Sequence, residues 1–187
     1  MQILAIGGSV RRDSHNARLL RHAAERAPAG VEVEVWDALK TIPPYDEDDD
    51  TDTPPPSVAA LRAAIADADA LLFATPEYNS SIPGVLKNAI DWASRPRATT
   101  PLQGKPTAVI GATTGAFGAV WAQAELRKVL ASTGARVVDL DLPLARVHEA
   151  FDADGALLDP GHDARVLEVL EALGAEIAAD RELALVA

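Results

Sequence analysis

The 187-residue sequence contains no cysteine, which excludes disulfide bonds, thiolate catalysis and cysteine-ligated metals. It also contains no apolar run of 18 residues, so no segment is a candidate transmembrane helix. The first residues lack the basic segment and the long apolar stretch of a signal peptide. Together these absences predict a cytoplasmic protein without a membrane partner.

Positive charge is scarce, because 17 Lys and Arg face 28 Asp and Glu and give a formal net charge of −11. Such a chain repels polyanions, so we expect no nucleic-acid partner. Residues 11–26 oppose this trend, since five arginines stand there against only Asp13 and Glu25. This local excess of positive charge indicates either a bound anion or a solvated helix face.

Hydrophobic residues make up 48% of the chain, enough for one substantial core, and no repeat or long linker divides it. We therefore predict a single domain over residues 1–187. Apolar segments typical of strands alternate with segments of helical spacing. The predicted strands are residues 3–6, 31–35, 70–74, 107–112 and 136–142, and the predicted helices are residues 16–27, 58–66, 84–93, 119–132 and 162–180.

The alternation of strands and helices predicts an α/β fold with a parallel sheet. Strands one, three and four are continuously apolar, which is typical of central strands covered on both faces. Strands two and five alternate apolar and polar residues, which is typical of edges. The resulting prediction is a flavodoxin-like, doubly wound, five-stranded parallel sheet of order 2-1-3-4-5, with its switch point between strands one and three.

The loop after strand one, residues 8–16, is rich in hydrogen-bond donors. It contains Ser9, Arg11, Ser14 and Asn16 just before a predicted helix. Backbone N–H groups at a helix start, hydroxyls and a guanidinium group suit a phosphate dianion. Neither the Walker motif nor the dinucleotide fingerprint is present. The alternative is a capped helix start with surface arginines.

The loop after strand three, residues 75–81, carries an aromatic residue in a chain that is only 4% aromatic. Tyr78 is suited to stack on a flat ring, and Asn79 offers an amide. Glu77 is either an acid–base group or a turn residue that accepts hydrogen bonds from N–H groups. The third loop, residues 113–118, has Gly115 and Gly118, which let the backbone approach a planar ligand.

A phosphate loop, an aromatic loop and a glycine-rich loop around one switch point fit a mononucleotide with a large flat ring, and FMN fits best. The same residues resemble the NADPH-dependent FMN reductase family. The first loop is similar to the family's G-S-x-R-x-x-S-x-N, and the second, PEYNSSIPGVLKNAIDW, to its P-E-Y-N-x-S-x-P-G-x-L-K-N-A-I-D-W. In the third, Thr113 stands where Ser is usual and Trp121 where Arg is usual. Ser80 stands where Gly or Tyr is common.

The resemblance implies non-covalent FMN, a homodimer or homotetramer, and NADPH or NADH as co-substrate. Trp92 is then either an interface anchor or a core residue. The residues implied to bind the cofactor are Ser9, Arg11, Ser14 and Asn16 at the phosphate, Pro76, Glu77, Tyr78, Asn79 and Ser80 at the ring edge, and Thr113 and Gly115 on the third side.

We therefore predict an NAD(P)H-dependent FMN oxidoreductase that passes electrons to a quinone, a flavin, an azo compound or a metal ion. The flavin carries the chemistry, so we predict no dedicated catalytic residue and no bound metal. The alternatives are a flavodoxin-like electron carrier without its own substrate and a flavin-free binding protein on the same fold.

Overall fold

The computed structural model describes residues 1–186, with the surroundings of the side chains through Glu182. The strands are β1 (Gln2–Gly7), β2 (Glu32–Trp36), β3 (Ala70–Thr75), β4 (Pro106–Ala112), β5 (Arg136–Val137) and β6 (Pro143–Leu144). The α-helices are α1 (His15–Glu25), α2 (Pro56–Asp67), α3 (Gly84–Ala93), α4 (Val120–Ser132) and α5 (Pro160–Val186). The helix α5 is longer at both ends than the predicted helix over residues 162–180. Among the described residues, no helix is long and apolar enough to cross a membrane.

All pairings in the sheet are parallel, and the strand order is β2-β1-β3-β4-β5, as predicted. Strands β3 and β4 are buried along their whole length, whereas Glu32 and Glu34 of β2 are exposed. Burial on both faces explains the continuous apolar runs of the central strands. The switch point lies between β1 and β3, so their carboxyl ends stand side by side.

The fifth strand differs from the prediction of one strand over residues 136–142. Thr107 of β4 pairs with Val137, but Gly111 pairs with Pro143. Four steps along β4 thus correspond to six along its neighbour, so two extra residues bulge between β5 and β6. Side chains bond two carbonyl oxygens of this segment, because Arg127 donates to that of Leu140 at 3.1 Å and Arg165 donates to that of Asp141 at 2.8 Å.

Two hydrophobic cores cover the two faces of the sheet. On one face, α2, α3 and α4 pack against residues such as Leu71 and Phe73. On the other, α1 and α5 pack against residues such as Leu72 and Ile110. The sheet side chains alternate between these cores because successive strand residues point to opposite faces. This arrangement leaves the loops at the carboxyl edge free to form a site.

Trp92 of α3 belongs to the core. Of the two roles predicted for it, interface anchor and core residue, the structure shows the second. Its side chain is 0% exposed, its indole N–H donates to the carbonyl of Pro43 at 2.9 Å, and Tyr45 packs edge-on at 4.8 Å between ring centroids. The indole therefore fixes residues 43–45 against α3.

Candidate functional site

The loops that follow β1, β3 and β4 meet at one pocket of about 210 Å³. It is called here the flavin pocket because the sequence predicts FMN at these loops. Eight of the eleven predicted cofactor-binding residues lie in its lining, and three further residues were not predicted. The lining consists of Ser9, Arg11, Ser14, His15 and Asn16 from the first loop and α1, Pro76, Glu77 and Tyr78 from the second, and Ala112, Thr113 and Thr114 from the third.

Asn79, Ser80 and Gly115 lie next to this lining rather than in it. Asn79 and Ser80 form a two-residue turn with φ of 53° and 61°, closed by hydrogen bonds of 3.0 and 3.1 Å between Tyr78 and Ser81. Both residues of such a turn need positive φ, which glycine adopts at least cost. Ser80 therefore holds a backbone conformation that glycine would adopt at lower cost.

The first loop ends at the N-terminus of α1, where donors are left without acceptors. Ser14 is the N-cap, and its hydroxyl oxygen accepts from the N–H of Ala17 at 3.2 Å. Among the described residues, the N–H groups of His15 and Asn16 have no acceptor. Free N–H groups and the helix dipole attract an anion to this end of the helix.

Asn16 is 2% exposed, and both ends of its amide bond the backbone of Ala112. Its Nδ2 donates to the carbonyl of Ala112 at 2.9 Å, and its Oδ1 accepts from the N–H of Ala112 at 3.0 Å. The side chain thus joins the first turn of α1 to the last residue of β4. This fixes the distance between the first and third loops of the flavin pocket.

The carboxylate of Glu77 binds the N-terminus of α4. Of the two roles predicted for it, acid–base group and acceptor of backbone hydrogen bonds, the structure shows the second. Its Oε2 accepts from the N–H groups of Trp121 and Ala122, each at 3.1 Å. The N-cap residue of α4, Ala119, has no side chain that could do this. A carboxylate at this end also interacts favourably with the helix dipole. Glu77 therefore holds the second loop against α4.

Three aromatic rings lie exposed near this end of the sheet. Tyr78 in the pocket lining is 53% exposed, and Phe117 and Trp121 are 64% and 48% exposed. Phe117 and Trp121 pack edge-to-face with ring centroids 5.0 Å apart. Exposed aromatic faces of this kind are suited to a flat ligand or to a partner surface.

Comparison with known proteins agrees with this geometry. Residues 1–149 match the model of the NADPH-dependent FMN reductase family. The chain belongs to that family. An NAD(P)H-dependent FMN reductase of Pseudomonas aeruginosa is 43% identical over 174 residues, which cover 92% of this chain and 93% of the relative. A 2-hydroxy-1,4-benzoquinone reductase of a Burkholderia species is 47% identical over 131 residues, or 70% of each chain.

Among solved structures, the flavoenzyme NAD(P)H:(acceptor) oxidoreductase of Paracoccus denitrificans superimposes with a TM-score of 0.84. It is 35% identical in sequence, and the match covers 95% of this chain and 97% of that one. As a member of the FMN reductase family, this chain is an oxidoreductase that uses FMN and a reduced nicotinamide nucleotide. The enzyme prediction and the cofactor prediction are confirmed.

The donor set of the flavin pocket fits the cofactor of the FMN reductase family. The first loop supplies free N–H groups, the hydroxyls of Ser9 and Ser14 and the guanidinium group of Arg11, which are the kinds of donor that a phosphate accepts from. Tyr78 stands in the second loop with half of its surface exposed, where a ring can stack.

Sequence reasoning missed three lining residues of this FMN reductase, namely His15, Ala112 and Thr114. His15 lies inside the predicted phosphate loop, but it occupies a variable position of the family motif. Ala112 is an apolar strand residue with no chemical signal of its own. Thr114 follows the predicted Thr113, and the Gly- and Thr-rich composition of that loop was its only signal.

Proposed function

We propose that this family member oxidises NADPH or NADH and passes the electrons through FMN to a small-molecule acceptor, with quinones as the main class. The observation that carries the proposal is the convergence of three loops on one pocket that combines anion donors with an exposed aromatic ring. Relatives from Burkholderia and Pseudomonas putida are named for the reduction of quinones. FMN supplies hydride and single-electron transfer when it is bound.

In this proposal the first loop binds the 5′-phosphate of FMN. Ser9 and Ser14 donate through their hydroxyls, Arg11 neutralises charge, and the free N–H groups of α1 complete the set. Asn16 acts mainly through its bonds to Ala112, which hold the first and third loops together.

The second and third loops hold the ring in this proposal. Tyr78 and Pro76 contact its edge, and the turn of Asn79 and Ser80 orients Tyr78. Glu77 fixes the second loop to α4, and Thr113 with Gly115 bounds the third side. Thr113 accepts from the N–H of Gly115 at 3.3 Å, which keeps this loop compact.

One experiment separates this proposal from an electron carrier without a substrate. The purified protein is heated, and the visible spectrum of the supernatant shows whether flavin was bound. The protein loaded with FMN is then mixed anaerobically with NADPH or NADH. We expect rapid bleaching of the flavin absorbance and its return when a benzoquinone is added. FMN binding without bleaching by either nucleotide would support the carrier instead.

Replacing Tyr78 with alanine is expected to weaken FMN binding roughly 3- to 10-fold, because an aromatic contact contributes about 0.5–1.5 kcal/mol. The measurement is the quenching of flavin fluorescence on titration with apoprotein. The matched control is Tyr78→Phe, which keeps the ring and is expected to keep the affinity. Equal losses in both variants would show that the hydroxyl, not the ring, makes the contact.

Replacing Glu77 with glutamine is expected to leave the pH dependence of hydride transfer unchanged, since the carboxylate binds α4 and transfers no proton. The amide oxygen still accepts a hydrogen bond but lacks the charge, so the free energy of unfolding falls by about 0.5–1 kcal/mol. Stopped-flow reduction by NADPH between pH 6 and 9 tests the first statement, and urea unfolding tests the second. A titration step lost in the variant would make Glu77 an acid–base residue.

We also propose that two or four copies associate and that the protein is cytoplasmic. Exposed apolar side chains near the pocket support association, among them Val85, Phe117 and Trp121. The net charge of −11 argues against a nucleic-acid partner. Light scattering coupled to size-exclusion chromatography tests the assembly, and a monomer at all concentrations would contradict it.

A further inference from the structure

His15, the first residue of α1, lies between two pockets. It lines the flavin pocket and also a cleft of about 420 Å³ that is formed by the first loop, α1 and residues 153–155. Among the described residues its imidazole makes no hydrogen bond, although its side chain is only partly exposed. An imidazole without a partner beside a set of anion donors is available to a ligand.

The surroundings of His15 are mainly cationic. Burial, followed by Arg11, His148 and Arg18, lowers the pKa of His15 below its ordinary value of 6.5. Arg18 is held in place because it donates to the carbonyl of Asp152 and stands 4.7 Å from the ring centroid of Phe151. In the absence of an anion the imidazole is therefore neutral at physiological pH.

Several other charged and titratable groups line the two pockets beside His15. Glu77 does not compensate the arginines freely, because its carboxylate is engaged by the N–H groups of α4. Neither Arg12 nor Arg21 makes an ion pair among the described residues. The remaining groups that line the two pockets are Asp13 from the first loop, Arg21, His22 and Glu25 from α1, Tyr78 from the second loop, and Asp154 from the loop before α5.

We propose that the imidazole of His15 binds the 5′-phosphate of FMN and takes up one proton from solvent as the dianion enters. No bond of the phosphate breaks, and the imidazole becomes an imidazolium that donates to a phosphate oxygen. The proposal rests on the proposed function, because it takes FMN to be the ligand of the flavin pocket.

The phosphate dianion reverses the sign of the electrostatic effect that the neighbouring arginines have on the imidazole of His15. Without it, Arg11 and Arg18 disfavour a charge on His15. A phosphate near the imidazole favours the charged form, since an opposite charge within about 4–6 Å raises the pKa of a histidine. The ligand therefore changes the protonation of a residue that the empty pocket keeps neutral.

Binding of FMN should therefore depend on pH through His15. The pKa of His15 lies below 6.5 in the free protein and is raised in the complex. Between these two values the complex holds one more proton than its separate components, so the affinity for FMN rises as the pH falls. At pH values above both, His15 is neutral in both states and contributes no pH dependence. Riboflavin lacks the phosphate, so its affinity should not change through this residue.

The test is the titration of apoprotein with FMN and with riboflavin between pH 6.5 and 8.5, read by flavin fluorescence. For the native chain we expect FMN affinity to rise about 3- to 10-fold as the pH falls, because one proton changes affinity by at most about tenfold per pH unit. Calorimetry in two buffers of different ionisation enthalpy should show proton uptake with FMN but not with riboflavin.

Two variants complete the test. His15→Gln keeps a hydrogen-bonding side chain that cannot become charged, and we expect it to lose both the pH dependence and the proton uptake. His162→Gln removes a histidine that lines neither pocket and should behave as the native chain. If His15→Gln and the native chain show equal pH dependence and equal proton uptake, this inference is overturned, but the proposed function is not affected. Failure of the native chain to bind FMN at any pH would overturn the proposed function with it.

Discussion

Replacing Gly118 with alanine is expected to destabilise the protein by roughly 3 kcal/mol or more. Gly118 has a φ of 60° and precedes α4 in the third loop of the flavin pocket. A Cβ there would overlap the carbonyl group of Pro143 and lie 2.7 Å from its Cα. Both the positive φ and the backbone contact oppose a side chain, so the loop or β6 must move.

Urea unfolding of the apoprotein measures this loss, and Gly115→Ala in the same loop is the matched control. The nearest atom to a Cβ on Gly115 is Oγ1 of Thr113 at 3.7 Å, an ordinary contact. We expect the free energy of unfolding of this control to change by less than about 1 kcal/mol. Similar stabilities for both variants would show that Pro143 moves freely, and the third loop would then not be fixed by β6.

Replacing Trp92 with alanine is expected to cost about 3–5 kcal/mol, the usual range for a large buried aromatic side chain. The variant loses the hydrogen bond to the carbonyl of Pro43 and the edge contact with Tyr45, and it leaves a cavity beside α3. Because α3 directly follows the second loop of the site, we also expect weaker FMN binding. Circular dichroism during urea unfolding gives the stability.

Trp121→Ala is the matched control for this prediction, since the same side chain is removed from a position that is 48% exposed. Its contact with Phe117 limits the expected loss to about 1 kcal/mol. If both substitutions cost the same, the indole of Trp92 would not be a core residue in solution. Trp92→Phe should fall between the two, because it restores most of the volume but not the N–H donor.

The strand order could be predicted because local patterns carry it. Continuous apolar runs mark β3 and β4 as central, and the alternation of Glu32 and Glu34 with valines marks β2 as an edge. The division of the fifth strand could not be predicted in this way. Residues 138–142 alternate apolar and polar side chains as a regular strand does, but side chains from α4 and α5 bond the carbonyl oxygens of Leu140 and Asp141. Those contacts are set by tertiary structure.

The candidate site, like the sheet, could be predicted only in part from the sequence. Its loops were predictable, since each is a polar segment after a buried strand, and eight predicted residues line one pocket. The bonds that fix those loops were not, because they join residues far apart in sequence. Glu77 and Trp121 are 44 positions apart, and Asn16 and Ala112 are 96 apart. No local pattern states which distant N–H group a carboxylate or an amide will meet.

The divided fifth strand also bears on how this protein avoids aggregation. A long, regular edge strand offers unpaired N–H and C=O groups to any other extended chain. Here one edge consists of β5 and β6, two residues each, separated by a bulge in which the carbonyl oxygens of Leu140 and Asp141 already accept hydrogen bonds from arginine side chains. The other edge, β2, carries two exposed glutamates. Neither edge accepts an added strand readily, so an interface between copies of this chain would have to form through helices and loops.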